Sequence, residues 1–517
     1  MFNFLTIDKV SSSLVACGAV ALSFFYIFGR KKTFGIPLVE GGLPFFGHVF
    51  DMLKSSPWDI MTSWMNDYGL IYRFRFIGNE GIVVCDPEIL KIILSSKLSS
   101  FKKDTQWTYK PFMDLLGFGL VTSEGSLWRS QRTLLSHKFR VEILSGIPDM
   151  AYRAVRRLCT KLNVEKNQNT PVEMAEEFRH LTLQVVAEAI LSLPAEESDK
   201  NFAKMYLPIV TEGNERVWQP YRMYLPSPSW FKFRNDVYKL NSYIEQLIHK
   251  RWGERQKRGD SHVVTNSGSS QPAANEKLIQ NDSRADDILD ITLGALPLGV
   301  PLTGEILRQA RDEVKTFILA GHETSASMLT WALYEICQNP VLLQRVREEA
   351  AAVFGVPRSA DKDLSEWILA HPPPPERLQN LTVTANCLKE ALRKYSVVPT
   401  VVRIAKEDLT VGEVFLPKGS TLMVHIQGVH HNPSIWANPL EFNPDRFLSL
   451  PEPFTFLPFI EGPRNCLGQH LSLLESKIVL AILLLSYDFQ VVNADAGEKH
   501  PRMVPITPKS GLFVTVF

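Results

Sequence analysis

The sequence predicts a mainly α-helical protein with a small β region, and three observations carry that expectation. Helical periodicity of apolar positions runs through most of the 517 residues. One long apolar helical run extends from about Leu302 to Ile336. A strand-rich patch occupies Leu70 to Cys85, with shorter strand candidates near Leu409 to Leu416 and at the C-terminus. Length alone would allow about three domains. A hydrophobic content of 45% and a net charge of +1 describe a globular chain with a large core. They give no nucleic-acid footprint and no strong bulk charge for steering. Cys17, Cys85, Cys159, Cys337, Cys387 and Cys466 are scattered without a C-x-x-C pair. They therefore point to neither a zinc site nor a disulfide framework, and they fit a reducing compartment.

Taken in chain order, the first element is an uncharged stretch of 19 residues from Val10 to Phe28, followed at once by Arg30-Lys31-Lys32. As a helix it would span roughly 28 Å, close to the hydrocarbon thickness of a bilayer. The basic cluster behind it should stay cytosolic. We read residues 1–29 as a single-pass signal anchor; a cleaved signal peptide is the rival, but its positive charges would come first. Residues 30–50, with Gly35-Ile36-Pro37 and Gly41-Gly42-Leu43-Pro44, read as a stiff connector, and residues 51–517 as the body. Trp107 to Phe118 is apolar and loop-like, and Trp218 to Phe233 mixes aromatic, basic and proline residues. Arg258 to Asp282 is polar and lacks aromatics, so it reads as a disordered insertion. Pro357 to Asn380 reads as another irregular connection.

The chemistry concentrates in a few places. In Phe459-Ile460-Glu461-Gly462-Pro463-Arg464-Asn465-Cys466-Leu467-Gly468, one thiol is framed by two glycines and an arginine, with an apolar helix-like run behind it. That arrangement suits a thiolate offered to a haem iron, where it favours O–O cleavage. The glycines would let the backbone approach a porphyrin, and Arg464 has the fork to hold a haem carboxylate. Standing alone, such a cysteine is equally a small buried hydrophobe. Phe317-Ile318-Leu319-Ala320-Gly321-His322-Glu323-Thr324 lies inside the long helical run. A glycine there costs about 1 kcal/mol. It reads as an opening in the helix wall for dioxygen, with the Thr324 hydroxyl beside it and Glu323 feeding protons through water. A helix edge exposed to solvent would give the same pattern. Glu390 and Arg393 share a helix face, as do Trp128 and Arg132, and each pair has an ordinary surface or packing explanation.

The segment around Cys466 resembles the haem-ligand loop of the cytochrome P-450 superfamily, F-x-x-G-x-R-x-C-x-G, at every fixed position. Two neighbours depart from the usual pattern: Ile460 replaces a common glycine, and Ser472 replaces a usual alanine. The Ala320-Gly321-His322-Glu323-Thr324-Ser325 run resembles the family's distal oxygen-binding helix, and Pro444-Asp445-Arg446-Phe447 its P-E-R-F segment. The resemblance implies that Cys466 ligates the iron of haem b and that Thr324 and Glu323 serve oxygen activation. It also implies that Trp128, Arg132 and Arg403 join Arg464 at the haem propionates, and that Glu390, Arg393 and Arg446 form a buried structural triad. The fold it implies is the cytochrome P-450 fold, one large mainly helical domain with haem between the distal helix and the proximal cysteine loop.

The implied reaction is monooxygenation of a lipophilic small molecule, with electrons from NADPH through a separate membrane-bound NADPH–P-450 reductase. Arg129, Lys138 and Arg140 are candidate docking charges or simply a solvated face. Phe112, Phe317, Ala320, Val398 and Val401 are candidate pocket residues, with Trp107 to Phe118 as a lid and Trp218 to Phe233 as a membrane-facing entrance. Weaker likeness to the fatty-acid and carotenoid hydroxylase branches leaves fatty acid, sterol and isoprenoid substrates open. The rival functions are a thiolate-haem isomerase or lyase acting on a lipid hydroperoxide without reductase, and, more distantly, a haem-binding sensor. The expected location is the endoplasmic reticulum membrane, with the catalytic body cytosolic.

Overall fold

The computed structural model describes residues 35–139, 143–198, 202–258, 287–297, 299–356 and 364–517. The expected anchor at Val10 to Phe28 and the expected polar insertion beyond Arg258 lie outside these residues. The fold is mainly helical with a small β region, and the described residues gather into two compact units. One comprises the chain up to Asp104 with Val398–Glu441 and Pro451–Asn465. The other comprises Thr105–Val397, Phe442–Leu450 and Cys466–Phe517.

The first unit is built on a five-stranded sheet made of β1 Ile71–Phe76, β2 Asn79–Val84, β3 Phe101–Lys102, β4 Thr400–Ala405 and β5 Thr421–His425. Its strand order is β1-β2-β5-β4-β3, antiparallel except where β2 runs parallel to β5. Ile77 and Gly78 both take positive φ and close the β1–β2 hairpin in two residues, the turn whose twist matches that of its strands. β2 shows no alternation of buried and exposed residues: Gly81, Ile82, Val83 and Val84 are all buried, because the strand sits inside the sheet. The segment expected as a connector is part of this body. Leu38 bridges to Arg73, Gly47 bridges to Phe76, and Ile36 and Val39 are buried in the core.

In the second unit the long helices are α1 Gly125–Lys138, α2 Leu144–Gln168, α3 Met174–Leu191, α4 Ala203–Trp218, α5 Pro228–Arg258, α6 Gly304–Cys337, α7 Pro340–Phe354, α8 Thr382–Tyr395 and α9 Gln469–Ser486. Thr303 caps the start of α6 by accepting the Ile306 N–H. Asn339 and Pro340 open α7 in the same way, with Gly355 in the left-handed conformation ending it. α9 is apolar and long enough to cross a membrane by composition, but more than half of it is buried in this unit as a core helix. The stretch 364–380, expected to be irregular, contains the helix Leu364–Ala370 and a 3-10 turn at Pro375–Asn380. Its burial of Ile368, Leu369 and Leu378 supplies the order that its proline-rich composition conceals.

α6 packs along α3, with Gly321 set against Val186. A Cβ placed there would lie 2.8 Å from Val186 Cγ2. α6 is helical without interruption from Gly304 to Cys337, and the missing side chain at Gly321 is what lets it pack on α3. Gly321→Ala should therefore lose about 1–3 kcal/mol by overpacking. Thermal unfolding of the single and double variants tests this: Val186→Ala in the same chain should recover much of the loss, so that the two effects fall short of additive.

Candidate active site

Along α6, Phe317, Ala320, Gly321 and Thr324 retain accessible area, whereas most of the surrounding residues are buried. Their spacing puts them on one face, so a helix buried in the core presents one strip to an internal space. The Phe317 ring stacks on Phe139, with centroids 6.2 Å apart. Thr324 Oγ1 donates to the Ala320 carbonyl at 2.7 Å, which leaves its lone pairs for an outside donor. Next to it the Glu323 carboxylate is buried, 3.4 Å from Arg179 Nε and 3.3 Å from His322 Nε2. Burial by itself would push this carboxyl up. The close contact with His322 and the Arg179 charge outweigh that and hold it below the usual carboxylate range.

Cys466 precedes α9 by two residues. Its side chain keeps exposed area although protein closely surrounds it, as expected for a thiol that faces an internal space. Burial pushes the thiol up; the Gly468 and Gln469 amides, which hydrogen-bond the sulfur, and the Arg132 charge act against this. On Gly468 a Cβ would find nothing nearer than Cys466 Sγ, 3.9 Å away. α1 carries Trp128 and Arg132 one turn apart, both half-buried. Ser325 and Ser472 bridge α6 to α9, Oγ to Oγ at 2.9 Å. The sequence departure at Ser472 thus has a partner that an alanine would lack.

A family model described as Cytochrome P450 matches residues 37–514. The chain belongs to the cytochrome P450 family. Among its relatives, Cytochrome P450 4c21 of Blattella germanica is 26% identical over 96% of both chains. Cytochrome P450 4A10 of Rattus norvegicus is 27% identical, covering 91% of this chain and 87% of its own. A Cytokinin hydroxylase of Arabidopsis thaliana is 27% identical, covering 88% and 82%. The protein is therefore a P450 monooxygenase, and its family implies haem.

The P450 residues fall into both units. Cys466, Thr324, Glu323, Trp128, Arg132, Phe112, Phe317, Ala320 and the Glu390 cluster belong to the helical unit; Arg403, Arg464, Val398 and Val401 belong to the sheet unit. In the sheet unit Arg403 is buried and its Nη1 donates to the Val402 carbonyl at 2.9 Å, while Arg464, Val398 and Val401 are half-buried. Gly462 takes φ +85°, and a Cβ there would collide with the Leu94 carbonyl oxygen. Its glycine is required by the loop's own packing. Ile460, the other departure, adopts φ +57°. That conformation is strained for a β-branched residue, which explains why glycine suits the position. Arg129 is exposed, and Arg140 and the Lys138 side chain lie outside the described residues.

Sequence reasoning missed the groups that hold the loop before α1. Phe112 packs on α4, where a Cβ at Gly213 would come within 2.6 Å of its ring. Asp312 Oδ2 accepts the Phe118 N–H and Glu313 Oε2 the Leu120 N–H, while Gln309 Nε2 donates to the Phe118 carbonyl. Glu313 is pushed up to about 7, chiefly by burial, with the Leu120 and Gln309 bonds acting against it. These partners lie 191 to 194 residues apart in sequence, so no local pattern announces them.

The Glu390 carboxylate is fully buried. Arg393 donates to it from Nε at 2.7 Å and from Nη2 at 2.8 Å; Arg446 Nε lies at 3.2 Å, and the Asn443 backbone N–H at 2.9 Å. Asn443 is a member that the motif did not reveal. Beside it Asp445 takes both guanidinium ends of Arg345 on α7, at 3.1 and 2.7 Å. Glu390→Ala should cost about 3–5 kcal/mol, because it strands buried guanidinium charge. The expected outcome is protein that is aggregated or recovered without haem; recovery at wild-type melting temperature and haem content would refute the structural role.

Proposed function

We propose that this P450 oxidises a lipophilic small molecule, with haem held through Cys466 and electrons supplied by NADPH through a separate reductase. The observation that carries this reading is the Cys466 sulfur, supported by two backbone amides and facing an internal space in the same unit as the Glu323–Thr324 face of α6. The open side of Gly468 next to that sulfur fits a planar group lying against the loop. Cys466 would hold the iron, and the Gly468 and Gln469 amides would stabilise its thiolate. Trp128 and Arg132 would meet the carboxylates, with Arg403 and Arg464 added on the strength of the family resemblance. Bound in this way, haem supplies thiolate-promoted O–O cleavage. Thr324 Oγ1, its proton committed to the Ala320 carbonyl, can accept a hydrogen bond and orient a water. Glu323 can pass a proton through that water.

Phe112, Phe317 and Ala320 present apolar surface, as do Val398 and Val401, which supports a lipophilic substrate such as a fatty acid, sterol or isoprenoid. The relatives whose names state an activity are hydroxylases, among them the Cytokinin hydroxylase and a Taurochenodeoxycholic 6 alpha-hydroxylase. Tyr221, Tyr224, Leu225 and Phe231 are all more than half exposed, which supports contact of the Trp218–Phe233 stretch with a bilayer. Together with the apolar segment before Arg30, this supports a site of action at the endoplasmic reticulum membrane, on its cytosolic face.

The test is incubation of membranes containing the full chain, reductase and NADPH with a lipid extract of the host. Products that gain one oxygen should appear with NADPH and disappear in Cys466→Ser. Reduced wild-type protein under carbon monoxide should show the red-shifted thiolate-haem band. Folded, haem-loaded protein without that band would overturn the Cys466 assignment.

A further inference from the structure

His322 is fully buried, and the hydrogen-bond accounting of its ring is incomplete. Nδ1 lies 3.0 Å from the Ile318 carbonyl. A carbonyl can only accept, so Nδ1 must carry a hydrogen. In a neutral ring that leaves Nε2 as a bare lone pair. Nε2 has no aligned hydrogen bond, and it lies 3.3 Å from Glu323 Oε1, an acceptor when ionised. Two lone-pair atoms facing each other in a buried site repel unless a proton stands between them.

The surrounding charges point the same way. On α3, Arg179 lies 3.4 Å from Glu323 Oε2 and pairs with Glu176 at 2.7 Å, and His180 faces the same Glu176. On α4, the Tyr206 ring meets the His322 ring edge-on with centroids 5.2 Å apart. The Thr182 hydroxyl donates to the His322 carbonyl at 2.9 Å, fixing the backbone that carries the ring. Two carboxylates, Glu176 and Glu323, thus share the Arg179 guanidinium.

We propose that His322 and Glu323 share a proton, and that His322 is the store from which Glu323 is reloaded during turnover. The inference rests on the role of Glu323 proposed above. In the transfer the His322 Nε2–H bond breaks and an O–H bond forms at Glu323 Oε1. His322 becomes a neutral imidazole that keeps its Nδ1 hydrogen on the Ile318 carbonyl. Water entering past the half-exposed Glu176 and His180 side chains returns the proton. Nothing is oxidised or reduced in these steps. His322 acts through Glu323, which makes it a positioning residue.

The experiment is nitrogen-15 NMR of full-length protein labelled in histidine, haem-loaded, reduced and bound to carbon monoxide so that the iron is diamagnetic. Wild type is compared with His322→Asn, or His322→Gln should the first fold poorly, and with Glu323→Gln. The expected result near neutral pH is an imidazole protonated at both nitrogens, missing from the His322 variant and converted to a neutral ring in Glu323→Gln. A wild-type His322 with one unprotonated nitrogen overturns the inference. In parallel, hydrogen peroxide released per NADPH is measured with reductase and no added substrate, and should rise severalfold in both variants. A rise in Glu323→Gln alone removes His322 from proton delivery and leaves the Glu323 reading standing. No rise in either variant removes Glu323 from the reaction, and the stored proton with it.

Discussion

Glu390 has no exposure and sits among guanidinium groups, so every part of its surroundings is constrained by the need to supply its carboxylate with protein donors. Two N–H groups come from Arg393, one turn away on the same helix. The others come from Arg446 and the Asn443 backbone, more than fifty residues later in the chain. Satisfying one carboxylate therefore fastens the Phe442–Leu450 segment to α8. Arg345 and Asp445 extend the fastening to α7. Such a network is weak as a source of net stability but strong as a constraint, because any rearrangement that breaks it leaves charge unpaired in the interior.

α6 repeats this logic along its length. It is buried on nearly all sides yet carries Asp312, Glu313, Lys315, Thr316, His322, Glu323, Ser325, Ser327 and Thr330 among its buried residues. A helix with so many interior polar groups is stable only where neighbours meet them. Lys315 reaches Asn241 on α5, Ser327 and Trp331 both donate to the Ile506 carbonyl, and Ser325 meets Ser472 on α9. The polar residues orient α6 about its axis more tightly than an apolar stripe could. That orientation turns Phe317, Ala320 and Thr324 toward the same internal space.

The parts of this architecture legible in the sequence were those with local signatures. The strands at 71–84 and near 409–416 and the long helix ending near Ile336 follow from periodicity and turn chemistry. The Cys466 loop and the Glu-x-x-Arg pair follow from motif spacing. β4 and β5 carry no local signature of their own, because their short apolar runs depend on pairing with each other and with β2. The packing that requires glycine at 321 and 462 is invisible in the sequence, since each depends on a neighbour from a distant segment, Val186 and Leu94. No motif marks His322; its significance lies in Ile318 and Glu323 on its own helix together with Tyr206 from a distant one.

The parallel pairing of β2 with β5 has a consequence for how the protein is made. Cys85, at the end of β2, meets His425 across 340 residues of chain. On a ribosome adding roughly 5–20 residues each second, β2 emerges with its hairpin partner β1 and then waits many seconds with its other edge unpaired. An open edge of this kind is a template for pairing with another chain. During that interval the nascent sheet needs chaperone cover, and closure by β5 ends its exposure only shortly before Cys466 itself is synthesised.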